Sequence, residues 1–168
     1  SAASDVYKRQ VLIGMPGCGK TTVGKVVAAR LMREFVDIDT LVEHRVGKSS
    51  QRIYREDGEE FFRLHETAVI EALAGQHGLV ISTGGGACLK PRNRMLLALN
   101  GTFYWMQRPL SKLSTYNRPI PQARGVEALY EERAPIYRDL AERIITVKSV
   151  DATAAEIIGE SSASRVAP

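Results

Sequence analysis

Two aspartates one residue apart, Asp37 and Asp39, follow an eight-residue stretch, GMPGCGKT from Gly14 to Thr21, and these are the residues of the chain best suited to chemistry. The stretch fits GxxxxGK[ST], in which glycines let successive backbone N–H groups converge on phosphate oxygens, a lysine reaches the same oxygens, and a hydroxyl serves Mg²⁺. Gly14, Gly17, Gly19, Lys20 and Thr21 fill those roles. A chance match in a turn is countered by the flanks: QVLIG before the loop is apolar and β-branched, and TTVGKVVAARLM after it carries Val23, Val27 and Leu31 at helical spacing. Such a helix aims its positive end at bound phosphates. The chain is therefore expected to handle a nucleoside triphosphate.

On extended chain Asp37 and Asp39 point the same way. Beside a metal–nucleotide, one carboxylate can orient the metal's water shell while the other accepts a proton from an acceptor hydroxyl. Asp39 also precedes TLVEHRV, where it could cap a helix, and the two roles are compatible. Gly84, Gly85 and Gly86, in STGGGACL, expose backbone N–H groups and admit a small ligand, or else form a tight turn. Arg63, in EDGEEFFRLHE, and Arg133, in EERAPIYR, can each grip a planar carboxylate through two parallel hydrogen bonds. For either arginine alone, a surface salt bridge is the ordinary explanation. The polar stretch from Leu113 to Glu127, with two prolines, reads as a lid that brings Arg118 onto the phosphates, or as a plain surface loop.

The elements that must position these groups alternate between short apolar runs and helical patterns, which predicts an α/β fold with a parallel sheet between helices. Strands are expected at Val11 to Gly14, Phe35 to Asp37, Leu79 to Ser82, Thr102 to Met106 and Arg143 to Val147. In the last helix, DATAAEIIGE, Thr153 stands three residues before Glu156, the spacing of a capping box. With 168 residues, 44% hydrophobic, the chain suits one domain with a substantial core. Residues 1–10 are expected to be a non-native or disordered leader, 11–160 the domain, with its substrate region at about 37–66 and lid at about 113–127, and 161–168 a frayed tail. The leader lacks the apolar core of a secretory signal. A scattered net charge of +4 favours anionic small substrates over nucleic acid, and no apolar run is long enough to span a bilayer. Two cysteines, Cys18 and Cys88, suggest free thiols in a reducing, cytoplasmic setting.

Taken together, GMPGCGKT, DID, DGEEFFRLHE, STGGGA, NRP and ERAPIYR resemble, in order and spacing, the shikimate kinase family, over about Val11 to Val147. The resemblance implies a three-layer P-loop kinase fold with a five-stranded parallel sheet, transferring the ATP γ-phosphoryl group to the 3-hydroxyl of shikimate. It implies an ATP site of Gly14, Pro16, Gly17, Cys18, Gly19, Lys20, Thr21, Thr22 and Arg118, with Lys20 and Arg118 stabilising phosphate charge. Asp39 would hold the substrate hydroxyls and favour proton transfer, Arg63 and Arg133 would grip the carboxylate, and Gly84, Gly85 and Gly86 would add backbone contacts. Thr21 would ligate Mg²⁺, and Asp37 would support it through water. A monomer is expected. The family's arginine-rich stretch before the NRP motif is absent from QRPLSKLSTYNRP. The alternatives are another small-molecule P-loop kinase, such as gluconate kinase, or an inactive ATP-binding module; a GTPase switch lacks its NKxD motif.

Overall fold

The computed structural model describes residues 8–113 and 125–163. Arg118 and most of the expected lid lie outside the described residues, as do residues 1–7 and 164–168. Five strands, β1 (Arg9–Ile13), β2 (Phe35–Asp37), β3 (Val80–Ser82), β4 (Gly101–Gln107) and β5 (Arg143–Thr146), form one sheet in the order β2-β3-β1-β4-β5. Every pairing is parallel, with Val11 opposite Ile81 on one side and Phe103 on the other. Seven helices connect or flank the described strands: α1 (Lys20–Leu31), α2 (Ile38–Val46), α3 (Ser50–Glu56), α4 (Glu59–Leu73), α5 (Pro91–Ala98), α6 (Val126–Leu140) and α7 (Val150–Ala163).

The twofold alternation of strand side chains splits the core into two layers. Val11, Ile13, Phe103 and Trp105 face a cluster that includes Val42, Phe62, Leu97 and Leu129, from α2, α4, α5 and α6. Leu12, Tyr104 and Met106 face the other way, onto Val23 and Val27 of α1 and Ala154 and Ile157 of α7. Helices thus cover both faces, as a buried parallel sheet requires.

Four local expectations are corrected. The first strand begins at Arg9 and ends at Ile13, so Arg9 and Gln10 belong to the sheet rather than to a disordered leader. The reason is Arg9, 1% exposed, whose guanidinium donates to the carbonyls of Leu73, Leu96, Leu97 and Leu99 at 2.5–3.3 Å. One cation thereby serves carbonyls at the ends of α4 and α5, where the helix dipoles favour positive charge. The last helix is capped by Ser149, whose Oγ accepts from the Ala152 N–H, while Thr153 lies inside and donates to the Ser149 carbonyl. The same helix continues through Ala163, so residues 161–163 are helical rather than frayed. Val126 and Glu127, the last residues of the expected lid, are the first turn of α6.

Candidate active site

The phosphate loop leaves the carboxyl end of β1, at the point where the chain's neighbours in the sheet lie on opposite sides, β3 to one and β4 to the other. Ligands of open α/β sheets bind there. A cleft of about 620 Å³ opens at this point. It is lined by Pro16, Gly17, Gly19, Lys20, Thr21 and Thr22 from the loop and α1, by Asp37 and Asp39, by Arg63, by Gly84, Gly85 and Gly86, and by Arg133. Residues more than a hundred positions apart in sequence meet in one cavity.

Gly14 and Cys18 stand apart from the lining. Gly14 has φ 149 and packs so closely on β4 that a Cβ would approach the Met106 carbonyl oxygen to 2.6 Å, so only glycine fits. Cys18 is buried, with Sγ 3.7 Å from Lys20 Nζ. Lys20 Nζ itself donates to the carbonyls of Gly14 and Met15 at 2.8 and 2.9 Å, which holds the cation at the mouth of the loop.

Asp37 ends β2 and caps α2: its Oδ1 accepts from the Thr40 N–H at 3.1 Å, while its Oδ2 accepts from Thr21 Oγ1 at 2.6 Å. The expectation that Asp39 caps this helix is therefore corrected, and the pair does not share an extended segment, because Asp39 sits in the first helical turn. Relieved of capping, Asp39 faces the cleft with its Oδ1 buried and without a hydrogen-bond partner. Burial, then the negative charges of Glu66 and Asp37, raise its pKa to about 7 against the opposing pull of Lys20 and Arg63. That places a proton acceptor close to neutral pH.

The two arginines are buried rather than exposed, Arg63 at 8% and Arg133 at 2%. Arg63 Nη1 donates to both oxygens of Glu66, which is itself fully buried, at 2.9 and 3.0 Å. Arg133 keeps Nε and Nη2 buried without a partner. Buried donors and acceptors in folded proteins are almost always satisfied, so these atoms describe what the cleft takes: an acidic group for the arginines and a hydroxyl donor for Asp39.

The triple glycine serves these side chains directly. A Cβ on Gly84 would collide with the Asp39 carboxylate, one on Gly85 with Pro16 and the Arg133 guanidinium, and one on Gly86 with the Arg63 guanidinium. The absence of side chains at these three positions thus makes room for Asp39, Pro16, Arg133 and Arg63, while the glycines themselves line the cleft. The cleft also takes in Arg108, to which no sequence motif assigns a role, and Tyr54, which the sequence did not single out. Tyr54 stacks on Phe62 with ring centroids 4.8 Å apart, a contact signalled only by the aromatic residues flanking EDGEE.

A phosphate loop on a parallel sheet, beside a proton acceptor and two buried arginines, defines a P-loop kinase of a small acidic acceptor. A family model described as shikimate kinase matches residues 16–162. The chain belongs to the shikimate kinase family. It is 40% identical over 144 residues to the shikimate kinase of Aromatoleum aromaticum, covering 80% of this chain and 82% of that protein. Against the shikimate kinase of Cupriavidus pinatubonensis it is 42% identical over 142 residues, covering 79% and 74%. The solved structure of shikimate kinase from Acinetobacter baumannii in complex with shikimate superimposes with a TM-score of 0.91 at 30% identity, covering 99% of each chain. A gluconokinase from Sinorhizobium meliloti superimposes with a TM-score of 0.57 at 17% identity, a likeness of fold alone.

Proposed function

We propose that the chain transfers the γ-phosphoryl group of ATP to the 3-hydroxyl of shikimate, giving shikimate 3-phosphate and ADP, on the route to chorismate and the aromatic amino acids. The observation that carries this reading is the convergence, beside the phosphate loop, of the unpartnered Asp39 Oδ1 and the unpartnered Arg133 nitrogens. Shikimate presents one carboxylate and three hydroxyls, which match two arginines and an aspartate.

Arg63 and Arg133 hold the carboxylate, and this anchors the ring with a hydroxyl against Asp39. Asp39 accepts the proton of the 3-hydroxyl as its oxygen bonds to the γ-phosphorus and the bond to the ADP oxygen breaks. Lys20 and the backbone N–H groups of the loop hold the phosphates, and Arg118 adds charge to them. Phosphoryl transfer asks for positioning and electrostatics, and no covalent nucleophile is required. The Thr21 hydroxyl and the Asp37 carboxylate, 2.6 Å apart, form an all-oxygen pair that suits Mg²⁺, a cation that keeps most of its water and binds through few protein ligands. When bound, it neutralises charge on the β- and γ-phosphates. The described residues contain no group of three or more His, Cys, Asp or Glu that could hold a metal ion.

Two buried free cysteines fit a reducing, cytoplasmic setting, and the chain is proposed to act as a monomer. No described helix is long and apolar enough to cross a membrane. The deciding experiment measures ADP release from Mg·ATP with shikimate, gluconate or no acceptor, with Lys20→Ala as blank. Shikimate-dependent release supports the reading; gluconate-dependent release moves the substrate, and ATP binding without turnover overturns the kinase assignment.

A further inference from the structure

Tyr137 stands four residues after Arg133 on α6, so both side chains project from the same face of the helix. Arg133 lines the cleft; Tyr137 does not, and is 1% exposed beneath it. Its hydroxyl lies between two backbone carbonyls from separate parts of the fold. It donates toward Gly14 O at 3.1 Å, the first residue of the phosphate loop, and toward Gly85 O, the middle residue of the triple-glycine loop. Gly14 O also accepts from Lys20 Nζ at 2.8 Å. A continuous chain therefore runs from the phosphate-binding lysine through Gly14 O and the phenol to Gly85, where an added Cβ would run into Pro16 and Arg133.

The ring is held independently of the hydroxyl. It packs against Trp105 at a centroid distance of 5.8 Å within the core layer that carries β1 and β4. Burial pushes the phenol far above its ordinary pKa, so it remains a neutral donor across the working pH range. A phenol has a single proton, and it is shared between the two loops.

We propose that the Tyr137 hydroxyl is a positioning group: by tying Gly14 to Gly85 it sets the spacing between the nucleotide loop and the acceptor loop, and so the alignment of the γ-phosphorus with the acceptor hydroxyl. The inference rests on the kinase reading above. Displacement of reacting groups by an ångström is felt mainly in the transition state, so turnover should respond more than ground-state binding.

The test is Tyr137→Phe, which keeps the ring and its contact with Trp105. Turnover at saturating ATP and shikimate is expected to fall about three- to tenfold, the worth of one hydrogen bond, while both KM values stay within about twofold and the melting temperature within about 3 °C. Trp105→Phe loosens the ring but keeps the hydroxyl, and is expected to lower the melting temperature with kcat within about twofold. Unchanged turnover in Tyr137→Phe, or a loss that follows the melting temperature across both variants, overturns the proposal. Should the Phe variant not fold, 3-fluorotyrosine at position 137 keeps the packing and strengthens the donor. A shift of kcat of at least about twofold at constant KM then supports the role, and no shift overturns it. Wild-type enzyme without shikimate-dependent ADP release refutes the kinase reading itself, whereas active wild type with an unaltered Phe variant refutes only the positioning role.

Discussion

Arg63 gives a single nitrogen, Nη1, to both oxygens of Glu66, while its Nε lies 3.5 Å from Glu59 Oε1 and the side chain lines the cleft. The pair is buried, so removing one partner strands the other's charge. Arg63→Ala should destabilise the protein by about 3–5 kcal/mol and raise the KM for shikimate at least about tenfold. The double change Arg63→Ala with Glu66→Gln should recover much of the stability and none of the affinity. Urea unfolding and substrate titration of both variants check this, and a double variant no more stable than the single one refutes the stranded-charge account.

Asp39→Asn should lower turnover at least about a hundredfold with little change in ATP affinity, because the carboxylate serves the acceptor hydroxyl. Unchanged turnover would remove Asp39 from the reaction.

The same carboxyl makes stability depend on pH. Burial, helped by Glu66 and Asp37, raises it from 3.8 to about 7, so between those values the folded protein binds more protons than the unfolded chain. Stability from this group is therefore full at the acid end of that window and falls as pH rises through about 7. Asp39→Asn should accordingly be more stable than wild type at pH 8, by about 1–3 kcal/mol, with the gap closing toward pH 4. In the free enzyme kcat/KM for shikimate should rise through about pH 7 and level off, and the Asn variant should lose that step. Thermal melts and a pH–rate profile report the two effects separately.

Arg133→Ala should weaken shikimate binding by about 2–5 kcal/mol, because its cation is buried and faces the cleft. Isothermal titration with and without nucleotide measures it; a loss confined to ATP would reassign the residue.

Arg9→Met should cost about 2–4 kcal/mol of stability by leaving buried helix-end carbonyls unpaired, and should leave kcat within about twofold. The residue lies at the amino end of β1, opposite the site. Denaturation and turnover of one variant check both halves.

Much of this was written in local pattern. The apolar runs located all five strands, and the loop, the triple glycine, Asp39 and both arginines meet in one cleft as their order suggested. What local pattern missed depends on contacts distant in sequence. Arg9 and Gln10 look like leader because polarity argues against a buried strand, and only the carbonyls of Leu73 to Leu99 show why an arginine belongs there. Asp37 and Asp39 are equally good caps by residue type; the Thr40 N–H selects Asp37. Ser149 wins over Thr153 by the same kind of local competition. The burial of Arg63 by Glu66, a turn away on α4, was within reach of helical spacing.

Asp37 grips the α2 amino terminus with one oxygen and the Thr21 hydroxyl with the other, and α2 also carries Asp39. Any drift of a descendant protein toward a new acceptor that shifted this short segment would disturb nucleotide handling in the same step. The stretch from Ser49 to Tyr54, which reaches the cleft from α3 and its cap and meets α2 further along, where the Ser50 N–H donates to Glu43 Oε2 at 2.8 Å, is the freer ground for retuning. Laboratory selection for altered acceptors should accumulate its first substitutions there.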